Sequence, residues 1–112
     1  MIVDDHQVFL SAARTMLIAE GCDVVACASS GDEAIAMIEA CPVDVVLVDL
    51  FMPGTDGVEL AERFAAFETP PDVILISSWD DAEREPRVVS APVRGFLAKQ
   101  NLARSAIDRL LA

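Results

Sequence analysis

The sequence predicts an α/β domain in which a parallel five-stranded sheet is covered by helices on both faces. Apolar runs alternate with amphipathic stretches along the 112 residues, a pattern typical of repeated βα units. Hydrophobic residues make up 54% of the chain, a share high enough to indicate strands that are buried on both faces. The stretches between strands are long enough to hold a helix, so we expect parallel pairing and right-handed crossovers.

Five strands and five helices are predicted to alternate along the chain. The strands are predicted near 1–4, 23–28, 44–49, 72–77 and 94–98. The helices are predicted near 7–20, 31–40, 57–67 and 101–111, with a short or irregular fourth helix between 80 and 91. This succession predicts a flavodoxin-like, doubly wound sheet with the strand order 2-1-3-4-5.

Local signals set several helix ends. Ser30 and Glu33 form the capping-box pattern that starts the second helix. Gly21 suits the end of the first helix, because glycine readily adopts the conformation that terminates a helix. Pro86 would clash inside a helix but is tolerated in a first turn. We therefore expect the fourth helix to begin near Glu85 and to be short.

Composition excludes several classes of function. The net charge of −11 makes this chain by itself a poor binder of nucleic acid, so DNA binding would need another domain. No apolar run reaches the length of a membrane span, and acids at positions 4 and 5 interrupt any signal peptide. Cys22, Cys27 and Cys41 are odd in number and lack metal-type spacing. They are expected to be reduced thiols in the core of a cytosolic protein.

The most informative residues are three aspartates that follow apolar runs. Asp4 and Asp5 end the run that begins at Met1, and Asp49 ends the run that begins at Val43. Carboxyl ends of neighbouring parallel strands meet at one edge of a sheet, where such folds bind ligands. Three carboxylates that meet there repel one another and favour a hard cation such as Mg²⁺. The sequence therefore predicts a magnesium-dependent phosphate site.

Further polar residues follow other predicted strands. A loop rich in proline and glycine occupies residues 50–57, directly after Asp49. Ser77 ends the fourth strand, and Lys99 follows the fifth. The same doubly wound sheet gathers all of these residues at the edge that carries the acids. His6, in contrast, is expected to be a helix-start or surface residue.

These motifs together resemble the receiver domain of a bacterial two-component response regulator, over the whole chain. The resemblance depends on the acid pair, the D-x-x-M-P-G-x-D-G run from Asp49, the hydroxyl of Ser77, an aromatic residue at Phe96, and Lys99. The start of the chain, Val3-Asp4-Asp5-His6 with Phe9 and Arg14, resembles the NarL/LuxR-type branch.

The resemblance implies a role for each matching residue. It makes Asp49 the phospho-acceptor. It implies that Mg²⁺ binds Asp4, Asp5, Asp49 and the main-chain carbonyl of Phe51. Ser77 corresponds to the hydroxyl that bonds the phosphoryl group, and Lys99 to the lysine of the family motif.

The resemblance also implies a switch and a control of access to the site. Ser77 and Phe96 correspond to the pair that changes position on phosphorylation. Phe51 and Trp79 occupy the positions that overhang the phosphoryl group, and the alternative is that Trp79 packs on the loop away from the site. Two large aromatic side chains there predict a long-lived acyl phosphate, since they offer no group to orient water.

As a whole, the resemblance implies a cytoplasmic signalling module that takes its phosphoryl group from a sensor histidine kinase. Such a module catalyses only its own phosphorylation and dephosphorylation. A homodimer is a possible assembly. We expect the signal to pass to a DNA-binding output domain that these 112 residues do not include.

Three alternatives compete with this interpretation. A phosphatase of the haloacid dehalogenase type needs an acid two residues after its nucleophile, where Phe51 stands. A flavin carrier needs a loop rich in serine, threonine or glycine after the first strand, where the acids of residues 4–5 stand. A degenerate receiver, acting as a phosphorylation-independent interaction module, is disfavoured by the complete set of site residues. The irregular fourth helix keeps that last alternative open.

Overall fold

The computed structural model of the protein describes residues 1–78 and 86–112, which form one sheet with helices around it. The strands are β1 (Ile2–Val3), β2 (Cys27–Ala28), β3 (Val45–Asp49), β4 (Asp72–Ser77) and β5 (Gly95–Ala98). The helices are α1 (Gln7–Ala19), α2 (Gly31–Ala40), α3 (Gly57–Ala65), α4 (Pro86–Val89) and α5 (Arg104–Leu111). A 3₁₀ turn, Lys99–Asn101, lies between β5 and α5.

The sheet has the predicted topology. Its strand order is β2-β1-β3-β4-β5, and every pair is parallel. The reversal of winding at β1 places β1 and β3 side by side, with Val3 opposite Val48. The carboxyl ends of β1 and β3 are therefore neighbours, as the site requires.

Strand residues alternate between two apolar cores, one on each face of the sheet. In β3, Val46 and Val48 join the cluster formed with α2 and α3, whereas Leu47 joins the cluster formed with α1 and α5. In β4, Leu75 faces the first cluster and Ile76 the second. This alternation explains why the strands are nearly continuous apolar runs, since both of their faces are buried.

The caps of the first two helices follow the predicted chemistry. Gly21 has φ of +92° after α1, and the N–H groups of Gly21 and Cys22 donate to the carbonyls of Ile18 and Leu17. These two bonds are those of a Schellman motif. Ser30 accepts a hydrogen bond from the N–H of Glu33 at 3.2 Å and so caps α2.

Several elements are shorter than the sequence predicts, the second strand and the last helix most of all. The second strand was expected over 23–28 but comprises Cys27–Ala28 alone. It is an edge strand whose single partner is the two-residue β1, so the ladder has only two paired positions. The last helix was expected from 101 but begins at Arg104, because the 3₁₀ turn comes first.

In the described residues the fourth helix spans Pro86–Val89, so it is short after Pro86, as predicted. The part of the predicted irregular segment ahead of Pro86 lies outside the described residues. The expectation that all three cysteines are core residues is wrong for Cys41, which is exposed just after α2, although all three are free thiols. Within the described ranges, no helix combines the length and apolarity needed to cross a membrane.

Candidate functional site

Three aspartates meet at the carboxyl edge of the sheet, as predicted. Asp4 and Asp5 follow β1, and Asp49 is the last residue of β3. Asp4 is completely buried and Asp49 is 3% exposed, whereas the side chain of Asp5 is 30% exposed. Carboxylate oxygens of all three lie within 4.8 Å of one another. Buried anions this close together are costly, so the surroundings must supply positive charge.

Lys99 supplies that charge from the 3₁₀ turn after β5. Its Nζ lies 2.6 Å from Asp4 Oδ2 and 3.6 Å from Asp49 Oδ1. The ammonium also lies 4.3 Å from the ring centroid of Phe9 on α1, a favourable cation–π contact. The lysine side chain is only 13% exposed, so these contacts hold a largely desolvated cation between two acids.

Asp49 carries the clearest electrostatic signature of the site. Burial, together with the negative charges of Asp4 and Asp5, raises the pKa of the Asp49 carboxyl from 3.8 to about 6. Lys99 and the main-chain N–H of Phe51, which donates to the Asp49 carboxylate, oppose this rise without cancelling it. A carboxylate kept at the margin of ionisation by its neighbours is a strong candidate for a functional group.

The donor set fits a divalent cation. Asp5 Oδ1 is a buried oxygen that accepts no hydrogen bond from the described residues. Asp4 Oδ2 is also buried, and its contact with Lys99 Nζ at 2.6 Å occupies one of its two lone pairs and leaves the other. Carboxylate oxygens with free lone pairs are the ligands that Mg²⁺ prefers. Asp4, Asp5 and Asp49 are the side chains that would hold it.

His6 also lies in this cluster, although the sequence pointed only to a helix-start or surface role. Its ring Nδ1 is 3.0 Å from Asp4 Oδ1 and 3.3 Å from Asp5 Oδ1. The main-chain N–H of His6 donates to the same Asp4 oxygen at 2.9 Å. The position directly after the two acids was the one signal that could have indicated this contact.

The loop between β3 and α3 is fixed by a close approach of the two backbones. A Cβ on Gly57 would lie 2.7 Å from the carbonyl oxygen of Asp49 and 2.9 Å from Leu50 Cα, so only glycine fits there. Asp56 caps α3 by accepting a hydrogen bond from the N–H of Glu59 at 2.9 Å. The glycine and the cap together hold the loop that leaves Asp49.

A second ion pair ties this loop to α4. Arg87 Nη2 lies 3.2 Å and 2.9 Å from the two carboxylate oxygens of Asp56. No sequence pattern indicates this pair, because 31 positions separate the partners and the fourth helix is predicted only as short or irregular.

Ser77 and Phe96 lie beside the acids, towards the face of the sheet covered by α2 and α3. Asp49 is paired with Ile76, which places Ser77 one residue further along β4, opposite Ala98. Ser77 is buried, and half-buried Phe96 packs against the apolar cluster that includes Val88 of α4. The phosphoryl-bonding and switch roles of these two residues stay predictions.

Of the two aromatic residues expected to overhang the site, the structure describes one. Phe51 follows β3 and is 45% exposed, consistent with a side chain at the rim. Trp79 lies outside the described residues. The role of the Phe51 carbonyl as a metal ligand stays a prediction.

A doubly wound sheet with paired acids after β1, an acid ending β3 and a lysine after β5 defines the class of receiver domains. The chain belongs to the response regulator receiver domain family, whose model matches residues 1–111.

The comparisons with individual proteins support the same class. The transcriptional regulatory protein NarL of Mycobacterium tuberculosis is 30% identical over 112 residues, covering 99% of this chain and 52% of NarL. The DNA-binding transcriptional activator EvgA of Escherichia coli K12 is 26% identical over 100 residues, covering 89% of this chain and 49% of EvgA. These relatives confirm the predicted likeness to the NarL/LuxR-type branch. The chain spans about half the length of the curated relatives it matches.

Solved structures agree on the fold. The signal receiver domain of NarL from M. tuberculosis superposes with a TM-score of 0.85 at 30% identity, covering 99% of this chain and 94% of that domain. The receiver domain of the histidine kinase CKI1 from Arabidopsis thaliana, solved as a complex with Mg²⁺, has a TM-score of 0.81 at 22% identity. That alignment covers 99% of this chain and 89% of the CKI1 domain, and it shows a shared fold.

Proposed function

We propose that the protein is a phosphorylation-switched signalling receiver that accepts a phosphoryl group from a sensor histidine kinase onto Asp49 in a Mg²⁺-dependent reaction. The observation that carries the proposal is the position of Asp49. It ends β3 as a buried carboxylate, 3.6 Å from Lys99 and beside two further acids. Family membership supports the same interpretation.

The residues of the site suit phosphoryl transfer, which demands positioning and charge neutralisation rather than a strong nucleophile. A carboxylate oxygen of Asp49 attacks the phosphorus of a phosphohistidine, the P–N bond breaks, and the leaving imidazole keeps the electron pair and takes a proton from water. Lys99 offsets the negative charge at Asp49. When bound by Asp4, Asp5 and Asp49, Mg²⁺ supplies further neutralisation of the phosphoryl oxygens.

The product is an acyl phosphate that adds roughly one to two negative charges at a buried edge. We propose that Ser77 bonds the new phosphoryl group and that Phe96 changes its packing in response. The signal would leave through α4, β5 and α5. The chemistry is confined to the phosphorylation and dephosphorylation of Asp49, so the domain is not an enzyme for other substrates.

The partners follow from the relatives. EvgA is described as a DNA-binding transcriptional activator and NarL as a transcriptional regulatory protein. We therefore propose a histidine kinase as the donor and a DNA-binding output region, supplied by another part of the protein, as the acceptor of the signal. Homodimerisation and a cytoplasmic location belong to the same proposal.

Intact-mass measurement after treatment with acetyl phosphate and Mg²⁺ tests the proposal. The wild-type chain should gain one phosphoryl group, and Asp49→Asn should gain none. Asp44→Asn is the matched control, because Asp44 is an exposed acid just ahead of the same strand, at the opposite edge of the sheet. Equal uptake by wild type and Asp49→Asn would overturn the assignment. No uptake by wild type, from acetyl phosphate or a phospho-kinase, would favour a phosphorylation-independent interaction module.

A further inference from the structure

His6 places a ring nitrogen among the carboxylates of the site. Its Nδ1 lies 3.0 Å from Asp4 Oδ1 and 3.3 Å from Asp5 Oδ1. The hydrogen bond from the His6 main-chain N–H to Asp4 fixes the backbone that carries the ring at the start of α1. The side chain is 67% exposed, so ions in solution can reach it.

These distances suit ligands of a single metal ion. With metal–ligand bonds of about 2.1 Å, adjacent ligand atoms lie about 3.0 Å apart around an octahedral ion and about 3.4 Å apart around a tetrahedral one. Both distances from His6 Nδ1 fall in this range. One ligand atom from each of Asp4, Asp5, His6 and Asp49 lies within 4.8 Å of the others. Opposite ligands in an octahedron are about 4.2 Å apart, so small side-chain rotations would close the set around one ion.

The carboxylates have lone pairs available for such an ion. Asp5 Oδ1, the oxygen beside the His6 ring, is buried and accepts no hydrogen bond from the described residues. Asp4 Oδ2 is paired with Lys99 Nζ at 2.6 Å, which occupies one of its two lone pairs and leaves the other, and the Asp4 side chain has no exposed surface. Two buried oxygens with a free lone pair, together with a ring nitrogen in reach, point to a mixed nitrogen and oxygen ligand set.

We propose that His6 acts as a nitrogen ligand and makes this site bind a first-row transition-metal ion, such as Zn²⁺ or Co²⁺, in preference to Mg²⁺. Imidazole nitrogen suits such ions, whereas Mg²⁺ takes oxygen ligands almost exclusively. The inference rests on the proposed function, because the same carboxylates serve both ions. Loading by a transition metal would make phosphorylation of Asp49 responsive to the metal that is available.

Calorimetric titration of the tag-free chain with Zn²⁺, and separately with Mg²⁺, tests the proposal. We expect the ratio of the Mg²⁺ Kd to the Zn²⁺ Kd to fall at least tenfold in His6→Gln. That variant keeps all three cysteines, so any zinc bound by thiols alone stays in both titrations. An equal ratio in wild type and His6→Gln would overturn the proposal.

Nuclear magnetic resonance identifies the ligand atom directly. His6 is the only histidine of the chain, so the long-range ¹H–¹⁵N spectrum contains one imidazole. Addition of Zn²⁺ should shift the Nδ1 resonance most strongly. A dominant shift of Nε2, or no shift of either nitrogen, would show that His6 does not ligate the ion within this cluster.

The two proposals can fail separately. Phosphate uptake by the wild-type chain in Mg²⁺ tests the receiver function without reference to His6. Phosphate uptake together with an unchanged ratio of the Mg²⁺ and Zn²⁺ Kd values in His6→Gln would support the receiver function and overturn the histidine ligand. Zinc bound through Nδ1 by a chain that takes up no phosphate would support the metal site and overturn the receiver function.

Discussion

The carboxyl edge of the sheet has two sides that are stabilised in opposite ways. The acid side, formed by Asp4, Asp5 and Asp49 with Lys99, concentrates charge where little water enters. The switch side, formed by Ser77, Phe96 and helix α4, consists mainly of apolar packing. Successive residues of a strand point to opposite faces of the sheet. Asp49 therefore lies on the same face as Leu47, toward α1 and α5, whereas Phe96 packs on the other face, against the cluster that includes Val88 of α4.

The two sides therefore contribute to the free energy of folding in different ways. On the acid side, like charges oppose folding, and Lys99 offsets only part of that opposition. On the switch side, the half-buried ring of Phe96 packs against the apolar cluster that includes Val88 of α4, so this side is stabilised by the burial of apolar surface. We expect a phosphoryl group that forms on the first side to be sensed on the second.

The largest expected effect concerns the charge of Asp49 in the metal-free protein. Its pKa is about 6 in the folded state against an ordinary value of 3.8. A raised carboxyl pKa stabilises the fold fully below pH 3.8, and this contribution is lost as the pH rises through 6. In EDTA, the free energy of unfolding of wild type should fall relative to that of Asp49→Asn by about 2.4 kcal/mol between pH 4 and pH 7.

Urea denaturation of both proteins at several pH values measures this change. Asp44→Asn is the control, and its difference from wild type should stay nearly constant over the same range. A constant difference for Asp49→Asn as well would mean that the acid side holds no strained carboxylate, and the contrast with the switch side would disappear.

The second effect is stabilisation by Mg²⁺, which should act on the acid side alone. A ligand at ten times its Kd adds about 1.4 kcal/mol, which corresponds to roughly 5 °C in Tm for a domain of this size. Thermal denaturation with and without Mg²⁺ should show this shift in wild type and a smaller one in Asp5→Ala. Equal shifts in the two proteins would place the bound ion elsewhere.

The contrast between the two sides also explains what could be predicted from the sequence. The order of strands and the meeting of Asp4, Asp5, Asp49 and Lys99 follow from apolar runs that end in charged residues, because a parallel sheet aligns those ends. The contacts of Phe9 with Lys99 and of Arg87 with Asp56 join distant segments through side-chain rotamers. No local pattern encodes such contacts.

The predicted lengths of the second strand and the last helix are wrong for a related reason. The apolar residues at 24–26 predict a longer second strand, yet pairing ends where the short β1 ends. The length of an edge strand is set by its partner as much as by its own residues. In the same way, a turn after Lys99 delays α5 although the residues from 101 onward have a helical pattern.

The third effect concerns the lifetime of the acyl phosphate at the rim between the two sides. Phe51 is 45% exposed and presents no polar group that could orient an attacking water. We expect Phe51→Asn to accelerate dephosphorylation roughly three- to tenfold, or about 1 kcal/mol in the barrier. Phosphate loss after removal of the donor provides the measurement.

Two further variants complete that experiment. Val25→Asn changes an exposed apolar residue ahead of β2 and should leave the rate of phosphate loss as it is in wild type. Trp79→Ala tests the second aromatic residue of the predicted lid. If neither Phe51→Asn nor Trp79→Ala accelerates the loss, no aromatic lid protects the phosphate.

The smallest effect should come from the ion pair between Arg87 and Asp56, which joins α4 to the loop that follows Asp49. Burial raises the pKa of Asp56, but the hydrogen bond from Glu59 and the contacts of Arg87 outweigh it and hold that pKa below its ordinary value. Arg87→Gln should therefore raise the pKa of Asp56.

Because Arg87 is 56% exposed, the loss in unfolding free energy on Arg87→Gln should be only about 0.5 kcal/mol. Hydrogen exchange of the Ser90 and Ala91 amides, which donate to the carbonyls of Pro86 and Val88, should nevertheless accelerate, since the pair ties α4 to the loop after Asp49. Arg63→Gln, which removes a comparable exposed pair with Asp32 on the other side of α3, should leave the exchange of both amides unchanged. Equal exchange in Arg87→Gln and Arg63→Gln would show that apolar packing of Val88 alone holds α4, and that the two sides communicate without this bridge.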